Sequence, residues 1–504
     1  CYTPDGNPII GPAWGLKNFW LNEGHSFGIT AAGGAGWQIA EWIVDGEPTI
    51  DMMGVDPRRF GPYASQGYLQ AKNEEAYSMV FTIHYPDEER PAGRPLKRSP
   101  CYERMLGKGA VFGSTFGWER PNWFAPSGYG LSEAELAKPD TLLRENHAPA
   151  APGEKVREKW SFRRSNYFEF IGNECRHVHE KVGILDMSAF SKFMVEGHGA
   201  ANWLDSLLAN RIPRKIGRIG LCHLLTSRGG VRSEFTVYRL AEERFYLVSA
   251  GVLERHDWDY LTKALPADGK VQLRKVTSQF GVLVVAGPNS RSLLQKLTDR
   301  NFSNEAFPWL SGQRVNIGAA EAHAIRVNFV GELGWELHHP IETQNYIFDR
   351  LFEAGEEFEL KPFGIRAMDS LRLEKSYRLI PRELSIEYAA LESGLERFIS
   401  WDKDDFVGKA GLDAWRQSGF QWQFVTLELS GIHDADARGS EPIYNGAELI
   451  GRCTSGSYGW RVGKSLALGM VHPERAGLGS QCEVEILGER FFATVIPESP
   501  FDPQ

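Results

Sequence analysis

Hydrophobic and polar positions divide the chain into stretches of different period. From about residue 160 to 415, apolar residues recur at helical spacing over 173–182, 199–209, 252–265, 289–297, 342–354 and 364–375. Strand-like runs lie between them at 191–196, 234–240, 244–250, 280–286, 322–330 and 334–339. The run 280–286, then Gly287-Pro288-Asn289, then 290–297 reads as strand, turn and capped helix. Past about 420 the pattern turns to short strands between glycine turns, at 422–429, 447–455, 465–471, 481–487 and 490–496. That spacing predicts a small antiparallel barrel or sandwich. In front, residues 14–29 predict a strand pair ending in a glycine loop, and a helix follows through Ile43 with Trp37, Ile39, Ala40 and Ile43 as its apolar side. Gly46 and Pro48 stop it. Residues 51–150 are rich in Pro, Gly and aromatics, and 148–158 is the best linker candidate. No repeat is visible, and the class is α+β.

Composition narrows the function. The 504 residues exceed one small module and suggest about three domains. A formal charge of −9 argues against a general nucleic-acid binder. No stretch of about 18 apolar residues without charge offers a membrane span. Six scattered cysteines, with no CxxC, read as reduced thiols of a cytosol-like compartment. Cys1 stands where a Met would, and the opening reads like the middle of a domain, so the sequence looks truncated at its start.

Charge is unevenly spread. Between Asp205 and Glu234 there is no acidic residue, but there are Arg211, Arg214, Lys215, Arg218, Arg228, Arg232 and His223. Such a run is either a solvated loop or interface, or a field that attracts a polyanion. It ends at Glu234, which leads a strand after a Gly-Gly turn, where partial burial would suit proton transfer. In residues 328–338, alternation puts Trp335 and Leu337 on one face and Glu336 and His338 on the other. Phe329 could stack on a flat heterocycle, and Glu336 could accept from an amino-amide edge. The plain alternative is a hairpin. The helix around Arg366 and Arg372 reads as amphipathic with surface ion pairs, and residues 87–90 as a solvated turn. His177-x-His179-Glu180 diverges on a helix, so no metal site is expected. No GxSxG is present.

From about 160 onward, GILDMSAFSKFMVEGHGA, LLTSRGGVRSEFTV, FGVLVVAGPNSRSLLQKL, FVGELGWEL, MDSLRLEKSYR, KDDFVGKAGL and GRCTSGSYGW together resemble the folate-binding module of the glycine cleavage T-protein (aminomethyltransferase) family. The segment from Asn18 to Gly61 resembles the last FAD-contacting part of amine-oxidising flavoproteins, and SFRRSNYFE the junction seen in the dimethylglycine and sarcosine dehydrogenase group. The resemblance implies the rear part of such an enzyme. Residues 1–50 would be the C-terminal segment of an FAD-dependent oxidoreductase domain and 51–150 its central segment and linker. Residues 151–415 would be the T-protein-like domain and 416–504 a C-terminal β-barrel.

The implied activity is FAD- and tetrahydrofolate-linked oxidative N-demethylation of an N-methyl amine such as dimethylglycine or sarcosine, with methylene-tetrahydrofolate as product. Glu234 would be the catalytic carboxylate near the reacting folate nitrogens, with Phe235 and Thr236 beside it. Phe329 would stack on the pterin and Glu336 would bind its amino-amide edge, with Leu337 and His338 adjoining and Arg397 as a further contact. Gly24, His25, Ser26, Phe27, Gly28 and Ile29 would touch the flavin. The T-protein pattern has Asp at 234, Tyr at 329, another Tyr near Leu221, and Arg at Met368. Loss of that Arg removes the usual anchor for the folate glutamate tail, and the basic run would substitute for it. An electron acceptor is a possible partner, and the expected compartment is cytoplasmic, or the mitochondrial matrix in a eukaryote. The competing readings are a non-catalytic folate-binding module and a flavin-independent folate transferase or demethylase.

Overall fold

The computed structural model describes residues 2–129, 158 and 160–502. The strand Val231–Ala241 shows how the sequence builds its centre. Val231, Ser233, Phe235 and Val237 are buried on one side, while Arg232, Glu234 and Thr236 alternate with them on the other. Phe235 and Val237 pack with Trp203, Leu204 and Leu207 of the helix Ala200–Leu207 and Leu261 of the helix Glu254–Lys263. The strand belongs to an antiparallel five-stranded sheet. Its order is Gln272–Lys275, Ser191–Glu196, Arg244–Ser249, Val231–Ala241 and Ile219–Leu225.

A second sheet has six strands, ordered Gly312–Ile317, Ala320–Ile325, Gly334–Pro340, Phe280–Ala286, Gly183–Asp186 and Lys361–Pro362. One face carries Leu283, Val285, Trp335 and Leu337 into a core with the helices Ser290–Leu297 and Gln344–Gly355. Cys101, Tyr102, Phe112 and Phe124 join that same core from the front of the chain. The opposite face packs partly on the helices Phe168–Glu180 and Ile365–Leu373. The rest of it meets the five-stranded sheet through Tyr238, Tyr246, Val248 and Ile325. Residues Gln423–Ile496 close into a six-stranded barrel.

The expected α+β architecture with a terminal barrel is therefore present, and strands 191–196 and 280–286 match their expected bounds. Among the strands that escape the pattern is Ile219–Leu225, whose polar neighbours hide it inside the basic run. Strand 320–325 ends five residues before the expected 330, because Asn328 forms a turn instead, accepting from the amides of Val330 and Gly331. The front helix Gly28–Asp45 buries Ala35 and Trp42 against Ile10 and Met52, whereas Trp37 and Ile43 are exposed, which corrects its expected apolar side. Most of the linker candidate lies outside the described residues. The five described cysteines are buried and free. No described helix is long and apolar enough to cross a membrane, and no metal-holding cluster occurs among the described residues.

Candidate functional site

The hairpin that carries Glu234 turns at Gly229-Gly230. A side chain at Gly230 would collide with the carbonyl oxygen of Ile386, so the turn needs glycine there. A bulge beside Leu224 shifts the register so that His223 lies opposite Glu234 and Leu221 opposite Thr236. The side chain of Glu234 is 26% exposed, and its Oε2 lies 3.0 Å from Nε2 of the fully buried His223. Phe398 packs its ring at an angle to that imidazole, with centroids 5.3 Å apart. Arg397 is exposed and lies over the Phe398 ring at 4.8 Å. Elsewhere, Tyr377 stacks on Phe329 with ring centroids 5.6 Å apart.

Phe329 sits in a pinned loop. Asn328 donates to the carbonyl of Glu332 at 2.9 Å. Arg461, from the barrel, donates to the carbonyl of Val330 at 2.9 Å and to Glu332 at 2.8 Å, and pairs with buried Glu374. Gly331 has φ +74, and a Cβ there would strike the Lys375 side chain.

Glu336 faces the five-stranded sheet from the neighbouring strand. Its Oε2 lies 2.9 Å from His338 Nε2, and Tyr246 from the opposite sheet lies 3.1 Å from His338 Nδ1. The chain of bonds has one consistent polarity. Tyr246 O–H donates to Nδ1, and Nε2–H donates to the carboxylate. Burial pushes the His338 imidazole down and the Tyr246 phenol well up, so both stay neutral. Glu336 Oε1 has no hydrogen-bond partner among the described residues.

Several expectations need correction at the level of side chains. Phe235 and Leu337 are fully buried in two different helix-covered cores, so only their backbone can meet a ligand. His338 is 1% exposed and is occupied on both nitrogens, which makes it a support for Glu336. The basic run is not one free strip. Arg211 pairs with Asp402 at 2.9 Å, Arg232 pairs with Glu47 at 3.0 Å, and Arg228 donates to the carbonyl of Pro48. These acids come from remote parts of the chain, so the gap in local sequence charge does not survive folding. Arg214 and Lys215 remain exposed. Arg372 pairs inside the protein with Asp369 and Glu383, and Arg366 with Asp87 and Glu158. Both guanidinium groups are buried rather than on the surface. Of residues 87–90, Asp87 is an exposed turn residue as expected, whereas Glu88, Glu89 and Arg90 are half-buried, with Glu88 bonded to Arg90 and Glu89 accepting from the amide of Ser114. In the front segment Gly24 has φ +73, His25 lies 2.7 Å from the Asn22 side chain, and Phe27 and Ile29 are exposed.

Sequence reasoning missed Tyr246, Tyr377, Arg461 and Lys192. Tyr377 was visible only as part of SYR after a helix. Lys192 lies opposite Val248, which lies opposite Thr236, so all three face the other sheet. Its amine donates to the carbonyl of Ser188 at 2.7 Å, and burial pushes its pKa down to about 7. An unfolded lysine titrates near 10.4, so the unfolded state holds the extra proton between those values. Stability from this residue is therefore lost as pH falls from about 10 to about 7. Lys192→Met is expected to be more stable than the parent at pH 7 and to lose that advantage by about pH 10. Urea midpoints at the two pH values check it.

The comparisons with known proteins follow the same map. A family model described as the GCVT N-terminal domain matches residues 101–403. The FAD dependent oxidoreductase central domain matches 45–99, and the glycine cleavage T-protein C-terminal barrel domain 423–502. The chain is 37% identical over 499 residues to mitochondrial dimethylglycine dehydrogenase of Mus musculus, covering 99% of this chain and 54% of that protein. It is 31% identical over 538 residues to mitochondrial sarcosine dehydrogenase of Homo sapiens, covering 100% and 57%. The chain thus spans about half the length of these relatives. The solved aminomethyltransferase T of the glycine cleavage system from Bartonella henselae shares the fold with TM-score 0.65 at 22% identity, covering 81% of this chain and 98% of that one. Dimethylglycine and sarcosine dehydrogenases are among the proteins similar to nearly the whole of this chain, and the chain belongs to the glycine cleavage T-protein family.

Proposed function

We propose that this chain is the folate-handling part of a flavin- and folate-linked oxidoreductase that removes a methyl group from an N-methyl amine. The observation that carries this reading is the pair of carboxylates aimed between the two sheets. Glu234 and Glu336 each commit one oxygen to a buried histidine and keep the other open. A pterin offers adjacent N–H donors to the one and a reacting nitrogen to the other. The half-exposed Phe329 ring, backed on one face by Tyr377, supplies a stacking surface. The residues present therefore fit a folate. When bound, tetrahydrofolate supplies the nitrogen nucleophile that captures the one-carbon unit. Glu336 fixes the ring edge, Thr236 lines the same sheet face as Glu234, and Arg397 offers a charge at the rim. Glu234 accepts the proton released at the reacting nitrogen.

Residues 24–29 lie on the surface between a hairpin and a helix and present backbone and apolar side chains outward. They fit a rim contact for a flavin held mainly by other residues. FAD, when bound, supplies oxidation of the amine. The divisions at residues 50, 150 and 415 belong to this reading, as does a cytoplasmic or mitochondrial site of action; the names of the relatives support the mitochondrial one.

Binding tests the reading directly. Glu336→Gln places an N–H where ligand donors point, and one charge-assisted hydrogen bond is worth about 1.5–3 kcal/mol. Affinity for 5-formyl-tetrahydrofolate, followed by tryptophan fluorescence, is expected to fall roughly 10- to 100-fold. Tyr246→Phe removes one neutral hydrogen bond behind it and is expected to cost about 1 kcal/mol. An unchanged affinity in Glu336→Gln sinks the assignment. Co-expression with the flavin-binding front of a relative then tests the oxidase half, through bleaching of the flavin spectrum by dimethylglycine or sarcosine.

A further inference from the structure

We propose that His223 is a positioning residue for Glu234, held in the tautomer that carries hydrogen on Nε2. The inference rests on the folate reading of Glu234 and deepens it. The two residues are opposite each other in register, so their side chains leave the sheet on one face. Their burial differs sharply. The His223 side chain is 2% exposed and that of Glu234 26%, so the imidazole lies behind and the carboxylate in front.

The tautomer follows from the second ring nitrogen. His223 Nδ1 is buried and has no hydrogen-bond partner. An N–H at that atom would be a donor stripped of water with nothing to bond, whereas a bare lone pair is the lesser loss. The ring proton therefore belongs on Nε2, which lies 3.0 Å from Glu234 Oε2. Nε2–H donates and the carboxylate accepts. The reverse arrangement, with Glu234 donating to Nε2, would put the hydrogen on the orphaned Nδ1. Phe398 closes the apolar side of the ring and holds its plane. Oε2 is thus committed, rotation of the carboxylate is checked, and Oε1 is presented at a fixed angle to the ligand.

Three measurements test this. In the flavin-joined protein, His223→Leu is expected to lower the rate of one-carbon folate formation roughly 100-fold, the scale of a small misplacement of a catalytic group. Affinity for 5-formyl-tetrahydrofolate should be little changed, because Glu336 and Phe329 are untouched. His223→Gln carries an amide N–H to the same oxygen and should recover most of the rate. In the unmodified 504-residue chain, the imidazole ¹⁵N shifts of His223, assigned by its loss in the Gln variant, should show hydrogen on Nε2 and none on Nδ1. A protonated Nδ1 overturns the proposal, and so does a Gln variant as slow as the Leu variant, since both would mean that the ring only fills space. If Glu234→Gln captures the one-carbon unit normally, the role of Glu234 fails and that of His223 with it. The ¹⁵N result would still separate that failure from an error in the tautomer.

Discussion

Replacing Glu234 with Gln is expected to uncouple the proposed reaction, leaving amine oxidation in place while the one-carbon unit escapes as formaldehyde. The amide has the size of the carboxylate and keeps an oxygen for His223, so the hairpin and its Gly-Gly turn should hold. What is lost is the proton acceptor. A positioned acid or base contributes typically 100- to 10,000-fold to rate, so methylene-tetrahydrofolate formation should drop by that order. The carboxylate stands on the sheet-facing side of the strand, remote in sequence from residues 24–29, and among the described residues no hydrogen bond or ion pair joins it to them. Oxidation of the amine should therefore keep its rate. The measurement is the ratio of methylene-tetrahydrofolate to formaldehyde at equal flavin reduction. A ratio equal to that of the parent protein removes Glu234 from the chemistry.

The second large effect is expected at Arg461. This guanidinium is almost fully buried and is shared between Glu374, Glu332 and the carbonyls of Val330 and Leu371. Glu374 lies among buried groups, and burial alone pushes its carboxyl up. Arg461→Met takes the guanidinium from fully buried Glu374 and from Glu332, which keeps only His179 at 3.0 Å, and breaking a buried pair from one side costs about 3–5 kcal/mol. The loss should appear as a lower urea midpoint. It should also weaken folate binding more than a remote lesion of equal cost would, because the same side chain holds the loop that presents Phe329. Adding Glu374→Gln to Arg461→Met removes one stranded charge and is expected to recover part of the stability. A double variant no more stable than the single one would show that the acids were never burdened.

The two sites also show what a folate module of this kind takes from distant parts of the chain. The loop with Phe329 is fastened by the terminal barrel. The basic run is neutralised in part by Glu47, two residues past the front helix, whose carboxylate also receives the Ser227 hydroxyl at 2.5 Å. Removing the front residues would expose Arg232, which is tucked between Glu47 and the ring of Tyr260. The front segment therefore stabilises the hairpin of Glu234 whatever else it contacts.

Local sequence determined the elements of this protein and the facing of their side chains. Alternation in 334–339 separates Trp335 and Leu337 from Glu336 and His338, because successive strand side chains point to opposite faces; around Glu234 the resemblance set Phe235 beside the ligand, and only the fold shows its ring turned into the helix-covered core. The motifs also pointed to the family and to the carboxylates. Pairings were decided by tertiary structure alone. His223 meets Glu234 because one bulge shifts the register by a residue; without it Cys222 would stand there. Tyr246 reaches His338 because two sheets pack face to face, and Arg461 reaches Glu374 because the barrel docks on a helix end. The acid-free stretch between Asp205 and Glu234 misled for the same reason: electrostatic attraction acts through space, and Glu47 and Asp402 arrive from far along the chain.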